Sequence, residues 1–141
     1  MLNYLGTSTR PDIAFAVHQC ARFSINPMRS HEQAVMRIGR YLLSTKEKGM
    51  IYRPDSTKGI EVFVDADFAG RYHQEHSTLC DNVLSRTGYV INFCGCPFHW
   101  VSKLQSEIAL SNTESKYLAL SMATRDLLPL RHILEEIHKY S

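Results

Sequence analysis

Apolar and polar positions alternate in distinct ways along this chain, and the change of period divides it. From Thr9 to Phe23 the apolar residues Ile13, Ala16, Val17, Cys20 and Ala21 recur at helical spacing. Thr9 is placed to cap that helix, Pro11 suits its first turn, and Asp12 suits the positive end of its dipole. Asn26-Pro27 breaks the pattern. A second helix is expected from Ser30, where Ser30-His31-Glu32-Gln33 fits a capping box. Its apolar stripe is Val35, Ile38, Tyr41 and Leu42, with Arg37, Arg40 and Ser44 facing away, and Lys48-Gly49 marks its end.

The period then shortens to two. Met50 to Arg53 reads as a short strand, and the turn-rich link Pro54 to Gly59 marks the main boundary. Ile60 to Asp65 is a strand, followed by a long polar loop from Gly70 to Arg86. Thr87 to Phe93 and Pro97 to Lys103 are two further strands around a turn at Gly95. Ile108 to Leu110 is a brief extended approach, and Ser111-Asn112-Thr113-Glu114 is a second capping box. The helix it opens runs towards Asp126, where Pro129 ends or kinks it, and the helical period resumes from Leu130 to Lys139. The expected organisation is a helical segment over residues 1–53 and an α+β unit over 58–141, a three-stranded antiparallel meander followed by a helix. Neither internal repeats nor low-complexity tracts interrupt it.

Composition adds little until its distribution is considered. The 141 residues are 44% hydrophobic and 21% charged, ordinary values for a globular chain. The net charge of +2 is too small to imply nucleic acid from the total alone. From Arg22 to Arg53, however, seven Lys or Arg face two acids, Glu32 and Glu47. No apolar run approaches the ~20 residues of a membrane helix, and Met1 to Arg10 lacks the apolar core of a signal peptide. The expected setting is intracellular, cytoplasmic or nuclear, with Cys20, Cys80, Cys94 and Cys96 as free thiols. Cys94-x-Cys96 with His99, together with Cys80, invites a zinc reading, to which the loop pair His73-x-x-His76 adds little. The spacing is poor for the common structural sites, and buried strand cysteines are the preferred reading.

The chemistry-bearing motif is Val64-Asp65-Ala66-Asp67-Phe68-Ala69-Gly70, which closes the strand from Ile60. Strand residues two apart share a face, so the two carboxylates sit together. Such a pair calls for a cation, basic partners or water, and a divalent metal is one good reason for it.

Motifs along nearly the whole chain resemble one family. They are Tyr4-Leu5, Thr9-Arg10-Pro11-Asp12-Ile13, Arg22-Phe23 with Pro27 and His31, Arg40-Tyr41-Leu42, and Thr45 with Gly49. Asp65-Ala66-Asp67-Phe68-Ala69-Gly70, Ser85-Arg86-Thr87-Gly88-Tyr89-Val90, and Trp100-Val101-Ser102-Lys103 with Gln105 follow. The last is Ile108-Ala109-Leu110-Ser111 with Thr113-Glu114 and Tyr117. In that order they resemble the polymerase polyprotein of copia-type LTR retrotransposons, from the end of the reverse transcriptase into the ribonuclease H domain.

The resemblance implies a thumb or connection region of the reverse transcriptase in the first half. Arg37, Arg40, Lys46 and Lys48 would there contact the phosphates of a template–primer duplex, a solvated helix face being the alternative. The second half would be a truncated ribonuclease H-like domain. That enzyme hydrolyses the RNA strand of RNA–DNA hybrids with two magnesium ions about 4 Å apart, held by carboxylates. Asp65 matches the aspartate that bridges both metals, and Asp67 is a neighbouring ligand candidate. The family pattern then places two glutamates on the following helix, two residues apart. This chain has Glu114 at the first and Lys116 at the second, about 200° away around the helix. Glu114 is a ligand candidate and also the reaching-back member of the Ser111 box, while Lys116 is placed to pair with Asp65. The family's further aspartates, including an Asp-Asn pair, would fall beyond Ser141, with Asp81 and Asp126 as leftover candidates that match no motif. The expectation is ribonuclease H ancestry with activity lost in this chain alone. The alternatives are a non-catalytic remnant that binds nucleic acid weakly, or a protein-interaction role, including association with the rest of a reverse transcriptase.

Overall fold

The computed structural model describes residues 1–69 and 83–139. Its elements are α1 (Leu2–Ser8), α2 (Pro11–Ala21), α3 (Arg29–Ser44), β1 (Ile60–Asp67), β2 (Arg86–Phe93), β3 (Cys96–Leu104) and α4 (Asn112–Lys139). The chain separates into two compact units, Met1–Tyr52 and Arg53–Ser141. The α+β arrangement expected from the sequence is present: a helical segment, then an antiparallel meander in the order β1-β2-β3, then a helix.

The helical unit is built around Ile13, Val17 and Ile38, with Leu2, Leu5, Ala16, Cys20 and Leu42 packed against them. Helix α1 was not expected, because Asn3, Gly6, Thr7 and Ser8 are poor helix formers. It exists through packing. A Cβ at Gly6 would stand 3.3 Å from the Ala14 backbone, so glycine permits the close approach of α1 to α2. Thr9 accordingly closes α1, its N–H bonded to the Leu5 carbonyl, rather than opening α2. Helix α3 begins one residue before Ser30. Its N-terminal box uses His31, whose Nδ1 accepts the Met28 N–H at 3.0 Å. It ends at Ser44, before Lys48, and its buried stripe is narrower than expected: Ile38 is buried, while Val35 and Tyr41 are exposed.

Met50 to Arg53 forms no strand. Ile51 and Tyr52 remain exposed, and without a neighbouring strand an apolar run has no ladder to join.

In the second unit β1 pairs with β2 from Ile60↔Phe93 to Asp67↔Arg86, and β2 pairs with β3 from Arg86↔Leu104 to Phe93↔Cys96. The β2–β3 turn is Cys94-Gly95, both with positive φ (51° and 75°), the geometry that a two-residue hairpin requires. Tyr89, Ile91 and Ala123 centre the core, with Val62, Val64, Met122 and Leu127 among the groups packed on them. Full burial of one such aliphatic side chain contributes about 1.5–3 kcal/mol, so a handful of them fixes α4 on the sheet. Gln105 adds a buried polar link, its Nε2 donating to Thr87 Oγ1 at 3.1 Å and to the Ser115 carbonyl at 2.8 Å. Helix α4 runs through Pro129 rather than ending there. The proline is on the exposed side, while Leu127 and Leu130 pack on the core and hold the helix across the missing N–H.

Candidate active site

Strand β1 alternates. Val62 and Val64 pack in the core and Ala66 is buried, so Asp65 and Asp67 share the opposite face with Phe63. The Asp65 side chain is 84% exposed. The register sets Asp67 directly across from the buried Arg86, whose guanidinium donates to Ser102 Oγ at 3.3 Å. Asp65 lies across from Gly88, which offers no side chain. The group that does approach it is Lys116, from the first turns of α4, with Nζ 4.0 Å from Oδ1.

Glu114 is engaged elsewhere. Its Oε2 accepts the Leu110 N–H at 2.6 Å, and its own N–H donates to Ser111 Oγ at 3.1 Å. Both bonds belong to the start of α4, where backbone donors lack helical partners. A two-magnesium centre needs several hard oxygen donors converging on each ion. Among the described residues of β1 the carboxylates on this face are Glu61, Asp65 and Asp67, strung along the strand, with an ammonium beside Asp65 and Glu114 bound to backbone. Among the described residues no three Asp, Glu, His or Cys groups gather to hold a metal ion. The described residues do not fit a two-magnesium centre.

Asp126 has a place that no motif signalled. Its Oδ2 accepts the hydroxyl of Tyr89, which is only 4% exposed, and stands 3.2 Å from His99 Nε2. Burial, and then the Asp126 carboxylate, raise the Tyr89 hydroxyl above its ordinary pKa. One carboxylate thus ties α4 to β2 and β3. A faint signal was its spacing, three residues beyond the buried Ala123 on the same helix face. This contact also accounts for His99, while Cys94 lies in the tight turn and Cys96 is buried at the start of β3. Cys80, His73, His76 and Asp81 lie outside the described residues.

The basic residues of the helical unit fall into two places. Arg37 and Arg40 are exposed on α3. Lys46 and Lys48 follow the end of α3 and line a cleft of about 520 Å³. Arg10, which sequence reasoning did not count as a binding residue, lines the same cleft. Its Nε and one terminal nitrogen donate to both oxygens of Asp12, at 2.9 and 2.8 Å, and the guanidinium also donates to the Thr45 carbonyl and hydroxyl. Asp12 accepts the Tyr41 hydroxyl at 2.8 Å as well. Hydrogen bonding from Arg10, reinforced by Tyr41, outweighs desolvation and lowers the Asp12 pKa to about 2. The clamp joins the start of α2 to the end of α3 and forms one wall of the cleft.

No protein-family profile matches the chain, and no solved structure matches it significantly. Curated proteins do. Over 136 residues, 96% of the chain, it is 38% identical to the retrovirus-related Pol polyprotein from transposon TNT 1-94 of Nicotiana tabacum. Over the same length it is 32% identical to that from transposon RE1 of Arabidopsis thaliana. The chain belongs to the copia-type retrotransposon Pol family.

It spans 10% and 9% of the length of those two Pol polyproteins. A further relative is similar in size: the secreted RxLR effector protein 161 of Plasmopara viticola, 38% identical over 123 residues, which are 87% of this chain and 81% of that protein. This Pol segment carries the motif aspartates of its family on the exposed face of β1. Beside the first of them stands Lys116. No described helix is long and apolar enough to cross a membrane.

Proposed function

We propose that this Pol segment is a ribonuclease H-derived unit that does not cleave RNA–DNA hybrids by itself. The observation that carries this reading is the 4.0 Å approach of the Lys116 ammonium to Asp65. A cation fixed to the chain occupies the surroundings that the family's magnesium ions would need, and like charges repel at such range. The commitment of Glu114 to the α4 cap supports the same reading. The residual role is contact with nucleic acid, an RNA–DNA hybrid or a template–primer duplex, through Arg37, Arg40, Lys46 and Lys48, in the company of other parts of a reverse transcriptase. The setting proposed with that role is the inside of the cell, cytoplasm or nucleus.

The test is incubation of the purified chain with an RNA–DNA hybrid and magnesium. No cleavage is expected. Magnesium-dependent cleavage that disappears in Asp65→Asn overturns the proposal.

A further inference from the structure

The cleft behind Lys46 and Lys48 is shaped for more than a passing phosphate. At about 520 Å³ it matches the lower part of the range of small-molecule sites. Its lining includes Ser8, Thr9, Arg10, Lys46, Lys48 and Tyr52, beside the apolar Leu5, Leu42 and Met50. The charges on this lining are not equivalent. Arg10 is matched by Asp12, and most of its N–H groups are already spent on Asp12 and Thr45. Lys46 and Lys48 are exposed and form no ion pair among the described residues, and the one acid between them, Glu47, is not part of the cleft lining. The excess positive charge therefore belongs to the two lysines. Ser8 and Thr9, two hydroxyl-bearing residues, line the same cleft. Tyr52 is 55% exposed, with its hydroxyl directed to the Met50 sulfur at 3.9 Å.

Mobile ammonium groups, hydroxyls and an accessible aromatic ring are the parts that bind a phosphate together with its neighbouring base. A continuous duplex does not offer this combination, because its bases are stacked inside. Arg37 and Arg40 lie outside this cleft, on α3 itself, where they suit a phosphate backbone that passes over the surface.

We propose that the cleft bounded by Lys46, Lys48, Arg10 and Tyr52 binds one phosphorylated, unpaired nucleotide, with the phosphate on the lysines and the base against Tyr52. The ligand chemistry is a nucleoside monophosphate unit, either the single-stranded end of a nucleic acid or a free nucleotide. This deepens, and rests on, the reading that the helical unit meets nucleic acid.

The experiment measures binding of the full chain to three fluorescent probes: a blunt RNA–DNA hybrid, the same hybrid with a short 5′-phosphorylated single-stranded overhang, and adenosine monophosphate. Each is repeated with Lys46→Gln/Lys48→Gln, with Tyr52→Leu and with Arg37→Gln/Arg40→Gln. The expected result is tighter binding of the overhang probe than of the blunt one. Lys46→Gln/Lys48→Gln should erase that preference and reduce the log–log salt slope by about 0.7, the value for one phosphate on a single strand. Tyr52→Leu should weaken the overhang probe by about ten-fold, the loss of one stacked base, and Arg37→Gln/Arg40→Gln should leave the preference intact. Adenosine monophosphate binding that depends on the lysines, without binding of either hybrid, assigns the cleft to a free nucleotide and refutes the nucleic-acid reading. Equal binding of both hybrids, insensitive to the lysine pair, overturns the cleft and confines the nucleic-acid contact to Arg37 and Arg40. No binding of any probe overturns both.

Discussion

The ammonium of Lys116 stands 4.0 Å from a carboxylate oxygen of Asp65 on the exposed face of β1. Both side chains are largely exposed, 58% and 84%, so the pair contributes little to folding, on the order of 0–1 kcal/mol. Its importance is local charge. Lys116→Gln is expected to leave the denaturation midpoint nearly unchanged. Lys116→Glu should bind magnesium more strongly than the parent chain in calorimetry and still fail to cleave a hybrid, because Glu114 remains tied to backbone. Cleavage gained by Lys116→Glu alone would contradict this account.

Glu114 is expected to behave as a cap. Glu114→Ala and Ser111→Ala should each lower stability by about 1 kcal/mol, the usual cost of losing an N-terminal cap, since the two residues share the same short network. Magnesium titration of Glu114→Ala should match the parent. A selective loss of metal binding with unchanged stability would identify Glu114 as a ligand.

Acid should loosen the helical unit through Asp12. Its folded pKa of about 2 lies below the ordinary 3.8. The stabilisation is therefore fully present above pH 4 and disappears as pH falls through 2. With the side chain 35% exposed, solvent screening reduces the effect to about 1 kcal/mol. Asp12→Asn should lose this acid-dependent component, seen as a flatter stability curve between pH 5 and pH 2. An unaltered curve would exclude the clamp as its source.

Asp126 should matter to stability through Tyr89 more than through His99. Asp126→Ala leaves the Tyr89 hydroxyl, in a residue 4% exposed, without its acceptor, at a cost of about 1–3 kcal/mol. Tyr89→Phe removes donor and demand together and should cost less. His99→Ala, at a side chain 41% exposed, should change stability by under about 0.5 kcal/mol. Denaturant titration of the three variants checks the order.

Sequence reasoning succeeded where the signal is local. The alternation from Ile60 to Val64 identifies β1, which runs two residues past the expected end at Asp65, and the spacing of two puts Asp65 and Asp67 on one face. The Ser111–Glu114 spacing identifies the start of α4. It failed where the deciding partner is distant. Helix α1 depends on Gly6 meeting Ala14, and the apolar run from Met50 lacks a strand to join. Asp126 and Tyr89 are 37 residues apart, and Arg10 and Thr45 are 35 apart, so neither pairing leaves a periodic trace in the chain. The candidate site divides in the same way: its aspartates were legible from a motif, and the cleft wall formed by Arg10 was not.

Strand β1 lies at one edge of the described sheet, with β2 on its other side. Such an edge presents unpaired backbone groups to any passing strand, including an identical one. Two copies of β1 laid together would bring Glu61, Asp65 and Asp67 of each against those of the other. The carboxylates that mark this chain's ancestry therefore also act as a barrier to fibril-like stacking, and Lys116 offsets one of them. Asp65→Asn/Asp67→Asn should lower the concentration at which light scattering first rises. In that capacity the two aspartates serve solubility, whether or not a metal ever reaches them.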